Sequence, residues 1–196
     1  FSFPSKKAII FYFNEAKPLF LSRLTSKSKD YSSTIFIGSS IGMIEVAYYD
    51  LANKLVNVVN SFIELITVTV FPNLTKTKNI ISTRRLFKVQ VFLSAFFYLM
   101  FLFIGEHIVL IIGGEEMKNT SLLFPIVGFF LFRSTSYFIG NALLIVNNLP
   151  KPFLASLFAS GGTYFLIIGF IYYYKVKLTI EIFIIVSVVS LLIEIF

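Results

Sequence analysis

Long apolar runs broken by short clusters of charge organise this chain. A membrane-spanning helix takes about 20 mostly apolar residues, and six stretches fit that template: 17–38, 45–71, 86–104, 120–147, 153–174 and 178–196. The plainest is 153–174, FLASLFASGGTYFLIIGFIYYY, which carries no charge and ends in tyrosines suited to a membrane interface. In 178–196, Glu181 and Glu194 lie near the ends. In 86–104, Lys88 and Gln90 lie close enough to the start to snorkel. The stretch 120–147 is interrupted by Pro125 and contains Arg133, while 45–71 contains Lys54 and Glu64. Segments this long exclude strands. The pattern predicts an all-α integral membrane fold, a bundle of six transmembrane helices joined by short loops. Ahead of the first span, Ser5 as N-cap and the run Ala8-Ile9-Ile10 predict a brief interfacial helix over 4–14. Pro72 is expected to end the second span, and Pro150 and Pro152 to close the loop before the fifth.

The first span departs from the pattern. LFLSRLTSKSKDYSSTIFIG, residues 19–38, encloses Arg23, Lys27, Lys29 and Asp30 between apolar ends. Each such charge at a helix centre costs roughly 2.5–3.5 kcal/mol on insertion scales, and charges there face a bundle interior or wet cavity rather than lipid. At about 100° per residue, Arg23, Lys27, Asp30 and Thr34 share one face, with Ser26 beside them. A polar stripe on a spanning helix is the leading functional clue. On the second span Asn53, Asn57 and Asn60 share a face by the same spacing.

Composition narrows the chemistry. Apolar residues make up 57% of the chain, so its net charge of +7 speaks for a membrane setting over a nucleic-acid partner. There is no cysteine and one histidine, His107, which excludes thiolate chemistry and a histidine-rich metal centre. No Ser/His/Asp arrangement is available, and Gly113-Gly114 marks a loop without the rest of a phosphate-binding motif. No enzyme and no cofactor are expected. Orientation follows the basic residues. Lys6, Lys7 and Lys17, then Lys76, Lys78, Arg84, Arg85 and Lys88, then Lys151 alternate with the acidic stretches around Glu45 and 105–118, with Lys175 and Lys177 against the trend. The first span therefore runs outward from the cytoplasm. The start at Phe1 and the end inside an apolar run suggest a piece of a longer polypeptide.

Residues 45–74 contain Val46-Ala47-Tyr48-Tyr49-Asp50-Leu51-Ala52-Asn53-Lys54 and Phe71-Pro72-Asn73-Leu74. These resemble the "V-x-Y-Y-x-x-A-x-K" stretch and the "F-P-x-L/I" close of the eighth transmembrane helix in polysaccharide (O-antigen type) flippases. That family belongs to the multidrug/oligosaccharidyl-lipid/polysaccharide exporter superfamily. Lys17-Pro18-Leu19-Phe20-Leu21-Ser22 looks like the "P-L-F-L-S" opening of the family's seventh helix, and 35–39 like its "D-x-x-I-L-G" ending. The family's acid before that ending is displaced here, to Asp30 followed by Ser32 and Ser33. The likeness is most specific over 16–85. It implies the C-terminal lobe of a MATE-like two-lobe transporter that rocks between inward- and outward-open states, with the N-terminal lobe as its missing partner.

What the resemblance implies for the site follows. A lipid-linked oligosaccharide of the undecaprenyl pyrophosphate type needs a wet, positive path, and Arg23, Lys27, Lys29 and Arg133 are the candidate contacts for its anionic head group. The alternative for the stripe is an internal pair of Asp30 with Lys27 or Arg23. Arg133 either faces the same cavity or pairs with Glu64; Glu64 and Asp30 either couple an ion or pair structurally. Asn53, Asn57 and Asn60 either contact sugar hydroxyls or bond between helices. Lys54 is expected to snorkel, His107 to be a solvated loop residue, and Ala155, Ala159, Gly161 and Gly162 to allow close helix approach. The expected function is the flipping of a lipid-linked oligosaccharide across the bacterial cytoplasmic membrane, alongside membrane lipid and polysaccharide-assembly proteins. A drug/cation antiporter and a non-transporting membrane scaffold are the alternatives. The antiporter needs an acidic lumen, against which the three bases of the first span argue.

Overall fold

A computed structural model of the chain describes residues 5–77, 80–140, 150–174 and 179–195. Every described element is helical. Helix α1 runs Lys6–Ser40, α2 Met43–Thr77 and α3 Ile80–Gly113. A mixed segment follows: a 3-10 stretch Glu115–Leu123, α4 Phe124–Val127, a second 3-10 stretch Gly128–Phe132, and α5 Arg133–Phe138. Helices α6, Pro150–Tyr173, and α7, Ile180–Ile195, complete the bundle.

The first three helices are longer than expected. At about 1.5 Å per residue each extends about 50 Å, well beyond a hydrocarbon core of about 30 Å. The expected interfacial helix over 4–14 and the span at 17–38 are one helix, continuous through position 18. Likewise α2 continues through Pro72 to Thr77 instead of ending there. A proline withdraws one N–H and crowds one carbonyl, a local loss that the neighbouring turns of a long membrane helix can carry. The cluster expected in a loop thus lies on helix ends, with Lys76 on α2 and Arg84, Arg85 and Lys88 on α3, all exposed. Lys78 lies outside the described residues. Glu106 and His107 belong to α3 as well, so the expected loop at 105–118 shrinks to the turn at Gly114. That residue has φ +71°, a left-handed conformation that glycine adopts without strain.

Four described segments are long and apolar enough to cross a membrane: Met43–Val70, Ile81–Gly113, Glu115–Phe138 and Lys151–Tyr173. Helix α1 is not among them, because its middle carries four charges between Arg23 and Asp30. The described part of α7 has 16 residues. The expected span at 120–147 begins earlier, at Glu115, and positions 141–149 lie outside the described residues.

Glu115–Phe138 is the most deeply buried of the four spans. Phe124, Val127, Phe130 and Leu131 pack there in one core with Val56 of α2, Phe101 of α3, Tyr164 of α6 and Phe183 and Ile184 of α7. Phe124 stacks on Phe101 at 4.9 Å. An irregular helix in a bilayer must have its freed backbone groups satisfied by protein. Tyr98 donates to the Pro125 carbonyl at 3.0 Å, Ser94 to that of Leu131 at 3.0 Å, and Asn60 to that of Phe130 at 2.8 Å. Side chains of α2 and α3 therefore stabilise the break around Pro125. Gln90 does similar work between α3 and α2: it is fully buried and bonds Thr67 and the Ile63 carbonyl, where snorkelling was expected.

Candidate functional site

A cavity of about 550 Å³ opens between the helices. Helix α1 supplies Lys27 and Asp30 to its wall, and α2 supplies Asn57, Asn60, Ser61 and Glu64. Arg133 and Tyr137 enter from α5, Phe153 from α6 and Glu194 from α7. Eight of these ten share a helix face in pairs. Lys27 and Asp30 are one turn apart, as are Asn57 and Ser61, Asn60 and Glu64, and Arg133 and Tyr137.

Two ion pairs dominate the electrostatics. Arg133 donates from both terminal nitrogens to the two Asp30 carboxylate oxygens, each at 3.0 Å. The side chains are only 22% and 17% exposed, so the forked contact is largely withdrawn from solvent. The Arg133 guanidinium also lies 5.3 Å from the centre of the Phe130 ring. Asp30 is thus paired across 103 residues of sequence instead of with Lys27 one turn earlier.

Lys29, the residue before Asp30, is turned about 100° from it and lies off the stripe. Its buried ammonium donates to Ser160 Oγ at 2.8 Å, Glu194 Oε2 at 3.0 Å and Ser190 Oγ at 3.3 Å. Glu194 also accepts from Ser136 at 2.8 Å through Oε1. Below it on α1, Ser33 bonds the Tyr164 hydroxyl at 2.6 Å and Ile37 is fully buried. Lys29, Ser33 and Ile37 therefore form the packing face of α1, toward α6 and α7. Adjacent residues of one helix, Lys29 and Asp30, are clamped to α7 and to α5 by pairs of opposite polarity.

The structure gathers Lys27, Asp30, Asn57, Asn60, Glu64 and Arg133 around one cavity, and holds Lys29 behind its wall. Asn53 is off the wall and accepts from Asn57 at 3.4 Å. The Arg23 side chain lies outside the described residues. Lys54 pairs with Asp50 on the exposed side of α2 at 2.6 Å. Of the four small residues in the fifth span, Gly161 approaches α1: a Cβ there would sit 3.0 Å from Thr25 Cγ2, whereas at Gly162 it would meet nothing within 4 Å. Sequence reasoning missed Glu194, Ser136, Ser160 and Ser190 as one network. The available signal was the hydroxyl at 160 among small residues, and the spacing of Ser190 and Glu194, one turn apart.

The family model for a polysaccharide biosynthesis protein matches residues 1–78, which cover α1 and α2 and six of the wall residues. No curated protein and no solved structure matches the chain. The match supports that family and a role in polysaccharide biosynthesis, and the apolar helices support a multi-pass membrane protein.

Proposed function

We propose that this chain is part of a transporter, without covalent catalysis, that flips a lipid-linked oligosaccharide from the cytoplasmic to the outer leaflet of a bacterial membrane. In this reading it forms one six-helix lobe, faces a second lobe of the same protein, and moves substrate by alternating access around the cavity. One observation carries the proposal: a polar, charge-bearing cavity lies inside a bundle of apolar helices, and its α1 and α2 walls fall within the stretch matched by the polysaccharide biosynthesis family. Intramembrane charges that face such a cavity mark a substrate path.

The test fills the cavity in a strain whose surface polysaccharide depends on this protein. Ser61→Trp is expected to abolish surface polysaccharide while the lipid-linked saccharide accumulates at the inner leaflet. Normal surface polysaccharide, or loss without accumulation of the intermediate, refutes the proposal. A second reading, a cation exporter of the same superfamily, is favoured by the three wall carboxylates Asp30, Glu64 and Glu194, which outnumber the wall bases Lys27 and Arg133. It predicts that the same variant lowers efflux of a cationic dye and leaves the polysaccharide intact.

A further inference from the structure

Resting on the flippase reading, we infer that this cavity recognises the uncharged, hydroxyl-rich part of the substrate, a sugar unit, and not its pyrophosphate. Charge supplies the first argument. Among the described residues, the three cations at or directly behind the wall, Lys27, Lys29 and Arg133, are matched by Asp30, Glu64 and Glu194. The two most buried cations are committed. Arg133 gives both terminal nitrogens to Asp30, and Lys29 has three oxygen partners. To reach Arg133, a pyrophosphate would have to displace a carboxylate from a bidentate contact and then lie beside that displaced anion.

Hydrogen-bond demand supplies the second argument. Asn60 is 4% exposed on the wall, and its Nδ2 is fixed by donation to the Phe130 carbonyl, a group that only accepts. Its Oδ1 is therefore the acceptor end of the amide, and it has no partner. That acceptor lies just beneath the wall surface; leaving it without a donor is costly, and turning the amide to meet a guest that donates relieves that cost. Sugar hydroxyls donate; a fully ionised phosphate has no hydrogen to give. Asp30, Glu64 and Glu194 are further acceptors on the same wall, and Asn57 and Ser61 add amide and hydroxyl groups. The third argument is shape. Phe153 and Tyr137 place rings on this otherwise polar wall, an apolar surface for the C–H face of a sugar ring. A volume of about 550 Å³ is in the range of small-ligand sites, roughly 300–1,000 Å³.

The experiment uses the full-length protein containing this chain, in lipid nanodiscs, with saturation-transfer NMR and calorimetry. The probes are N,N′-diacetylchitobiose as a neutral saccharide, inorganic pyrophosphate as the isolated anion, and glucosamine as a cationic donor. The disaccharide is expected to bind, to resist competition by pyrophosphate, and to weaken about three- to tenfold in Asn57→Ala and in Asn60→Leu. Asn57→Ala removes no contact to the central segment, so it keeps the test decisive if Asn60→Leu does not fold. Three results overturn the inference: no saccharide binding, pyrophosphate binding that is lost in Lys27→Gln, or tighter binding of glucosamine that is lost in Glu64→Gln. Surface polysaccharide is scored in parallel with the gene deleted. Export that persists without the protein refutes the flippase reading whatever the binding result. Export that depends on the protein while the disaccharide fails to bind refutes the inference alone.

Discussion

Replacing Lys29 by methionine tests whether the packing face of α1 is held by charge. Its ammonium and the Glu194 carboxylate are 3.0 Å apart with side chains 9% and 7% exposed. At that separation and an effective dielectric of about 20, their attraction is about 5–6 kcal/mol. Withdrawing each ion from water costs several kcal/mol, so the assembled pair contributes little net stability. Removing one member is different, because the other charge stays buried. Lys29→Met leaves the carboxylate with the hydroxyls of Ser136 and Ser160 alone. The expected loss is about 3–5 kcal/mol. Lys29→Met with Glu194→Gln removes both charges and should recover about 2–3 kcal/mol of that loss, so that in a double-mutant cycle the double variant falls well short of the sum of the two single losses. Reversible titration with dodecyl sulfate in mixed micelles reads each value. Raising salt from about 0.1 to about 0.5 M should leave the coupling unchanged, since screening reaches buried pairs poorly. A Lys29→Met protein within about 1 kcal/mol of wild type, or additive losses in the double variant, would refute the reasoning.

Three further outcomes are expected. Arg133→Lys keeps the charge but cannot span both Asp30 oxygens, so it should weaken the α1–α5 contact by about 1–2 kcal/mol in the same titration, with no loss if the fork is immaterial. Lys54→Ala breaks a pair whose members are 71% and 48% exposed, and should change stability by less than about 0.5 kcal/mol. Gly105→Ala would place a methyl 2.5 Å from the Phe124 ring, which is itself stacked on Phe101; overpacking of about 1–3 kcal/mol should appear as a lower melting temperature.

Apolar run length by itself determined that the chain is helical and suited to a membrane, because a lipid-facing backbone must close its hydrogen bonds within a segment. Helical spacing alone placed Lys27 with Asp30 and Asn57 with Asn60 on shared faces, and the structure turns both faces onto one cavity. The angular position of Lys29, about 100° from Asp30, also separated it from the stripe, although its charge grouped it with the others. Pro125 marked the break in the central segment, but the side chains that stabilise the break, Asn60, Ser94 and Tyr98, come from α2 and α3.

Pairing was the part that only tertiary structure decided. Asp30 meets Arg133 across 103 residues, and Lys29 meets Glu194 across 165. A charge a turn away on the same helix is visible in the sequence, whereas one on another helix depends on which faces pack and at what depth. That packing turned an apparent surplus of bases on α1 into a site where three carboxylates meet three cations, one of them, Lys29, from behind the wall. Counting charge along a sequence gives its total; only the contacts between helices determine where that charge is neutralised.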